Sequence, residues 1–417
     1  MTNDPANLSS TTHTDVLIVG GGMAGGLLSL LLADAGFSVR VLDAGPAPVR
    51  PSGESAPRVS TLSEASHWLL RHAGVWDRLD PERVQAYASM QVWDRDGTGE
   101  VRFSAADAGA DCLGWLLEND HLTAALFEAA GERDTLAWHG DTPVDDLTRD
   151  GDGWRVTAGD RTFSADLLVG ADGARSRVRD AAGIPAPARD SGHRALVATI
   201  ETDRPHGGCA RQAFMDSGPL ALLPLFGHGG HRGDGHRCSI VWSAWPQRSD
   251  ELMALDDDAF GAALSQATGE VLGAARVVSR RAVFPIEERH ASRYQGRALA
   301  LVGDAAHVIH PLAGQGINLG LLDAAVLAEE LGRARAAGLP VAHATILARY
   351  ERRRRADNLL MQNAMRGFKL LFERPEPAVR WLRNTGLGLV NRLAPARHAF
   401  MHRALGRAGD LPRNARP

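Results

Sequence analysis

The stretch Asp15-Val16-Leu17-Ile18-Val19-Gly20-Gly21-Gly22-Met23-Ala24-Gly25 decides the fold. Its first five residues are a short, β-branched apolar run, which predicts a strand buried on both faces. Three glycines follow at once. Residues 27–35 then read as a helix ended by Gly36, and Ser38-Val39-Arg40-Val41-Leu42 reads as a second strand closed by Asp43. A strand–turn–helix–strand unit of about 30 residues is the context that a dinucleotide-binding glycine turn requires. In such a unit Gly20 permits the tight turn, Gly22 lets the backbone approach a pyrophosphate, and Gly25 lets the helix pack close to the strand. The helix N-terminus offers free N–H groups to the phosphates. Asp43 stands where a carboxylate accepts hydrogen bonds from the adenosine ribose.

Two later motifs extend this reading. Gly170-Ala171-Asp172-Gly173-Ala174-Arg175-Ser176 follows the apolar run 167–169. Alone it is an Asp-Gly turn such as any protein contains; beside the other motifs, Asp172 and its turn are expected to reach the flavin side of the fold. Gly303-Asp304-Ala305-Ala306-His307 follows the apolar run 298–302 and leads into His310-Pro311-Leu312-Ala313-Gly314-Gln315-Gly316-Ile317-Asn318. Asp304 can hold a ribityl hydroxyl. Pro311, Leu312, Gly314 and Gly316 make a loop whose backbone can lie against a flat ring, with Gln315 and Asn318 offering amides. A helix starting near Gly316 would aim its positive end at the flavin edge and favour the anionic reduced ring. His307 and His310 read as packed or hydrogen-bonded histidines beside that loop. The three motifs together imply FAD, where the first alone would imply only a dinucleotide.

The 417 residues suffice for two interlocked domains, and 44% apolar with 23% charged residues is ordinary for a globular protein. No run of about 18 uncharged apolar residues is present, so no transmembrane span is expected. Residues 1–14 lack a signal-peptide layout and read as a loose tail. Cys112, Cys209 and Cys238 are far apart, form no Cys-x-x-Cys pair and read as small buried hydrophobes in a reducing, cytoplasmic setting. No metal cluster is expected. The net charge of −4 is unevenly spread: residues 341–417 hold 16 Lys and Arg against 5 Asp and Glu, a net +11, which leaves −15 on the first 340. That asymmetry allows an anionic partner or membrane surface for the tail, densest at Arg352 to Arg355, or a solvated helix face.

The expected fold is α/β: a discontinuous Rossmann-like FAD-binding domain (15–193 and 286–340), an antiparallel-sheet substrate domain (194–285) and a basic helical C-terminal region (341–417). The substrate domain is read from consecutive strand-like runs at 195–201, 211–215, 220–226 and 237–244. Residues 318–333, 344–372 and 378–393 read as helices.

These residues resemble the class A flavoprotein monooxygenases, the single-component aromatic hydroxylases. Arg58-Val59-Ser60, Val92-Trp93-Asp94, Glu118-Asn119 and the run from His310 to Gly320 are similar to the ubiquinone-biosynthesis hydroxylases. Ala195-Leu196-Val197-Ala198-Thr199-Ile200, Ala210-Arg211-Gln212, Leu222-Leu223-Pro224-Leu225 and Cys238-Ser239-Ile240-Val241-Trp242-Ser243 look like the branch acting on 2-polyprenylphenol. The resemblance spans 15–412. It implies that Gly20, Gly22, Gly25 and Asp43 bind the ADP half of FAD and that Arg58 lies near its phosphates. Asn119 would make a polar FAD contact, and Asp172 would serve both FAD and NAD(P)H. Gly303 and Asp304 would hold the ribityl chain, and Pro311, Gly314, Gln315, Gly316, Ile317 and Asn318 the isoalloxazine ring. Asp43 departs from the Glu common in relatives, with a shorter reach.

The implied activity is FAD-dependent hydroxylation of a polyprenylphenol ring in ubiquinone biosynthesis, at C5 of 2-polyprenylphenol, with NAD(P)H or another reductant and O2. No protein nucleophile is needed, and no side chain outside the flavin site is expected to be catalytic. The apolar run Leu220, Ala221, Leu222, Leu223, Pro224, Leu225, Phe226 suits a long isoprenoid chain, or is a plain sheet core. With only Tyr87, Tyr294 and Tyr350 present, no tyrosine relay is expected. Other ubiquinone-biosynthesis proteins, and peripheral contact with the inner membrane through the basic tail, are the partners implied; nucleic acid is not. The alternatives are another ring position or another aromatic substrate, or a non-catalytic FAD-binding scaffold. Trp242-Ser243-Ala244-Trp245-Pro246 does not match the Trp-x-Trp-x-Ile-Pro pattern of flavin halogenases.

Overall fold

The computed structural model describes residues 11–52, 58–226, 235–310, 316–373, 376, 385, 401–403 and 405–416. The first strand, Thr12–Val19, lies between Arg161–Gly170 and Val39–Leu42, parallel to both. Leu299–Leu301 and Leu136–His139 extend this sheet in the same sense on its two sides. Val16, Leu17 and Ile18 are fully buried, as a parallel strand covered on both faces must be. The hairpin Gly153–Ala158 and Asp146–Asp150 adds antiparallel strands beside Arg161–Gly170.

The helices are α1 (Met23–Asp34), α2 (Glu64–His72), α3 (Asn119–Ala130), α4 (Arg177–Ala181), α5 (Pro246–Ala254), α6 (Asp257–Thr268), α7 (Gly316–Ala336) and α8 (Ala344–Glu373). α1 is apolar on nearly every side because it packs against the sheet, α3 and α7 at once.

A second, nine-stranded sheet carries, in order, His307–Val308, Ala282–His290, Arg189–Thr202, Arg237–Ala244, Leu220–Pro224, Cys209–Phe214, Ser89–Asp94 and Glu100–Ser104, with Ala275–Val277 also paired to Arg189–Thr202. Its two faces differ. Leu196, Ile200, Leu220, Leu222, Ile240 and Trp242 point back into a core closed by Leu252 of α5 and by Phe260 and Leu264 of α6. The opposite face turns toward the first domain.

Four expectations need correction. The tail ends earlier than residue 14: Thr12, His13 and Thr14 pair with Phe163, Ser164 and Ala165, and Thr14 is buried. The substrate sheet is not confined to 194–285, because Ser89–Asp94 pairs in parallel with Cys209–Phe214 and brings Glu100–Ser104 with it. The apolar run at 220–226 is split by strand alternation, so Leu220 and Leu222 are core while Ala221 and Leu223 are not part of it.

The basic cluster is also spent internally. Arg353 pairs with Glu329, Glu330 and Asp410, and Arg354 pairs with Asp323. Arg366 pairs with Glu288, Arg403 with Asp357, and Arg407 with Glu64. Of the four arginines 352–355, only Arg352 is exposed. Among the described residues, Arg349, Arg353, Arg354, Arg366 and Arg407 of the tail thus pair with acidic residues of the first 340. Among the described residues, no helix is long and apolar enough to cross a membrane. The three cysteines are free.

Candidate active site

A cleft of about 500 Å³ runs from the C-terminal ends of the first sheet's strands to the front of the second sheet. This is where an open α/β sheet presents its ligands. One end is the glycine turn. Gly20 has φ +104°, and a Cβ there would stand 2.3 Å from the Ala171 carbonyl oxygen. A Cβ on Gly25 would stand 2.0 Å from the Gly20 carbonyl oxygen. Both positions demand glycine, one for its dihedral and one for the close approach of α1 to the strand. Gly22 is different: a Cβ there would meet nothing within 4 Å, so this backbone opens onto the cleft. It caps α1 with no side-chain hydrogen bond, and the first turn carries no acidic residue. An uncapped helix end with open space before it fits a diphosphate.

Asp43 closes the same turn. Its Oδ2 accepts from the Gly21 N–H at 2.5 Å and its Oδ1 from the Gly45 N–H at 2.7 Å. Each oxygen keeps acceptor capacity, so the clamp is compatible with a ribose contact.

Arg58, Asn119, Gly303, Asp304, Gly316 and Ile317 line the cleft farther along. Asn119 opens α3, and its Oδ1 accepts from Ser60 Oγ at 2.6 Å. Arg58 is exposed in the cleft, with its guanidinium 5.7 Å from the Phe284 ring centroid. Asp304 lines the cleft and is exposed to it, and its side chain makes no hydrogen bond among the described residues. The protein packed around it raises its carboxyl pKa, while His307 and Arg58 pull it back down. A free acceptor facing the cleft fits a hydroxylated ligand chain. These observations together fit FAD lying along the cleft.

Two expectations stand differently in the structure, and a third lies outside the described residues. Asp172 does not line the cleft, although its neighbours Ala171 and Gly173 do. Its Oδ2 accepts from the N–H groups of Arg177 and Val178 at 2.7 and 3.2 Å and so opens α4. Burial raises its pKa. Asn318 is buried, and its amide is occupied: Oδ1 accepts from Ser63 N and Ser66 Oγ, and Nδ2 donates to the Thr61 carbonyl. Its side chain ties α7 to α2 and leaves only its backbone for a flavin. Pro311, Leu312, Gly314 and Gln315 lie outside the described residues.

Behind the cleft sits a polar network that the motifs do not announce. Asp323 of α7 accepts from His307 Nε2 at 2.5 Å, Gly303 N at 3.2 Å, Arg354 Nε at 2.7 Å and Asn358 Nδ2 at 3.0 Å. Asn358 also contacts Tyr294, whose hydroxyl meets His290. Burial pushes the Asp323 carboxyl up, but His307 and Arg354 outweigh it and hold it at about 2. His307 is thus a hydrogen-bonded histidine that fixes the Asp304 turn from behind. An Asp inside the apolar run Leu321-Leu322-Asp323-Ala324-Ala325 was the available signal.

The FAD binding domain family matches residues 13–363. The chain is 38% identical over 404 residues to the ubiquinone hydroxylase UbiL of Rhodospirillum rubrum, covering 96% of this chain and 92% of that protein. The chain belongs to the FAD-dependent hydroxylases. A second relative, the 3-demethoxyubiquinol 3-hydroxylase of Escherichia coli, is 36% identical over 97% of this hydroxylase and 100% of its own length. Among solved structures, Pseudomonas aeruginosa PqsL superposes with a TM-score of 0.75 at 24% identity, over 90% of this chain and 100% of its own, which shows the shared fold.

Proposed function

We propose that this hydroxylase adds a hydroxyl group to the aromatic ring of a prenylated phenol in ubiquinone biosynthesis. The position assigned is C5 of 2-polyprenylphenol, with NAD(P)H as electron source. The observation that carries the reading is the wall opposite the flavin-binding residues. There Ala195, Val197, Val241, Phe284 and Pro285 present a mostly apolar surface to the cleft, suited to a ring with a hydrocarbon tail. The two relatives above, a ubiquinone hydroxylase and a 3-demethoxyubiquinol 3-hydroxylase, agree with a quinone-precursor ring. The sequence similarity at 195–200 and 210–212 supports the 2-polyprenylphenol step.

FAD supplies the electron transfer and oxygen activation when bound. The chain's own residues do the rest. The α1 N-terminus and glycine turn hold the diphosphate, Asp304 accepts from the ribityl side, and the apolar wall keeps water from the reacting ring.

The test begins with a visible spectrum and identification of released flavin. FAD-loaded enzyme, NAD(P)H and labelled O2 are then offered 2-polyprenylphenol. One labelled oxygen at C5 supports the reading. No FAD, or FAD without product from any prenylated phenol, overturns it. A second reading, hydroxylation of a demethoxyubiquinol, is favoured by the full-length match to the Escherichia coli relative. Product from that ring and none from 2-polyprenylphenol would select it.

A further inference from the structure

The cleft-facing side of the second sheet is not uniformly apolar. Register places Val197, Val241, Ala221 and Gln212 in one row across four strands, so their side chains share a face. Val197 and Val241 line the cleft, so Gln212 also points to that side. One row along, Leu223 stands opposite Ser239, which lines the cleft as well.

Gln212 is 5% exposed and Ser239 2% exposed. No hydrogen bond to either side chain is present among the described residues, and neither is among the fully enclosed polar atoms left without a partner, so their polar atoms keep access to the space on this face. An amide or hydroxyl left open in this way can bond a ligand. Here two such groups stand on one face, beside the cleft, with Val241, Ala221 and Leu223 between them. They are two strands and one row apart, roughly 12 Å between backbones, which lets their side chains engage opposite edges of one ring. Beyond Gln212 the face is closed by α8, where Phe372 stacks on Phe214 at 3.8 Å between ring centroids.

We propose that Gln212 and Ser239 are specificity-determining residues that hydrogen-bond oxygen substituents of the aromatic substrate while its ring rests on the apolar floor. The proposal rests on the ring-hydroxylase reading above and narrows it to oxygenated rings. An amide and a hydroxyl each donate and accept, so phenol hydroxyls and ring ethers both qualify. A site built around such groups disfavours a ring that lacks the oxygen, because the polar groups are then left unpaired.

The test uses FAD-loaded enzyme titrated with ortho-prenylphenol and with prenylbenzene, following the flavin absorbance change. The wild type is expected to prefer the phenol by roughly tenfold or more. Gln212→Leu or Ser239→Ala should reduce that preference about tenfold while binding prenylbenzene at least as well as the wild type. FAD content and thermal midpoint report whether each variant is folded, and two variants on different strands keep the comparison available if one is not. A wild-type preference that neither variant changes overturns the role of these residues and leaves the hydroxylase reading standing. A wild type that binds neither probe and hydroxylates no prenylated phenol overturns that reading, and this inference with it.

Discussion

Asp323→Asn is expected to be among the most damaging single-atom changes in this chain. The carboxylate is fully buried and accepts four hydrogen bonds, from His307, Gly303, Arg354 and Asn358. An asparagine offers one acceptor oxygen and an NH2 group. Two of the four donors would then face a donor, at about 1–3 kcal/mol for each buried group left unsatisfied. Arg354, equally buried, would lose its nearer carboxylate at 2.7 Å and keep only Asp357 at 3.4 Å. Breaking a buried pair by removing one partner costs about 3–5 kcal/mol. These overlap rather than add, so a loss of about 3–5 kcal/mol is expected, a large part of a typical total of about 5–15. Because Gly303 is one of the donors, the Asp304 turn should loosen too, and FAD should be retained less well. Urea unfolding of the FAD-loaded protein, with released flavin quantified in parallel, reads both effects. A loss below about 1 kcal/mol with unchanged FAD content would refute the assignment of this network as the support of the turn.

Gly25→Ala places a methyl group 2.0 Å from the Gly20 carbonyl oxygen and 3.0 Å from Ala171 Cβ; α1 must back away, costing about 1–3 kcal/mol, and FAD per polypeptide should fall, which a variant purified with full FAD would contradict. Arg58→Ala removes the exposed cation from the cleft and should weaken FAD binding roughly tenfold, as flavin fluorescence titration of the apoprotein would show; it should also raise the Asp304 pKa, which Arg58 helps to lower. Burial lowers the pKa of His310 to about 3 and of His290 to about 4. The unfolded chain takes protons below about pH 6.5 that these folded rings refuse, so stability should be fully present above that pH and fall as pH drops toward 4. A thermal midpoint that is flat between pH 7 and 4 would count against this.

How much was legible in the chain follows from the range of the interactions. The strand–turn–helix unit at 15–43 could be read because its pattern is local: a buried strand is a continuous apolar run, and the glycines sit where backbone meets backbone. The pairing of Ser89–Asp94 with Cys209–Phe214 could not. A parallel partner more than a hundred residues away leaves no spacing to read, so Ser89–Asp94 and Glu100–Ser104 carry no sign in the sequence that they join the substrate sheet. The helices α5 and α6 were missed for the opposite reason: the strand runs around them drew the reading toward a sheet, and their role is to cover its back face. Asn318 is expected from the sequence to offer its amide to the flavin ring, yet that amide serves α2, because sequence adjacency to a motif does not say which way a side chain points.

The charge asymmetry carries the same argument to the whole molecule. A net +11 on the last 77 residues against −15 on the rest reads, by composition, as a surface for an anionic partner or as a solvated helix face. Among the described residues, several of these arginines find acids within the chain: Arg353 meets Glu329, Glu330 and Asp410, Arg366 meets Glu288, and Arg407 meets Glu64. Composition counts charges but not their neighbours. The consequence is functional as well as architectural, because α8 is drawn by these pairs across both domains. It is anchored on α7 and Asp323 behind the Gly303–Asp304 turn, and it meets the second sheet at Phe214 in front. The residues that hold the cofactor end of the cleft and those that close its substrate end are thus fastened to one helix.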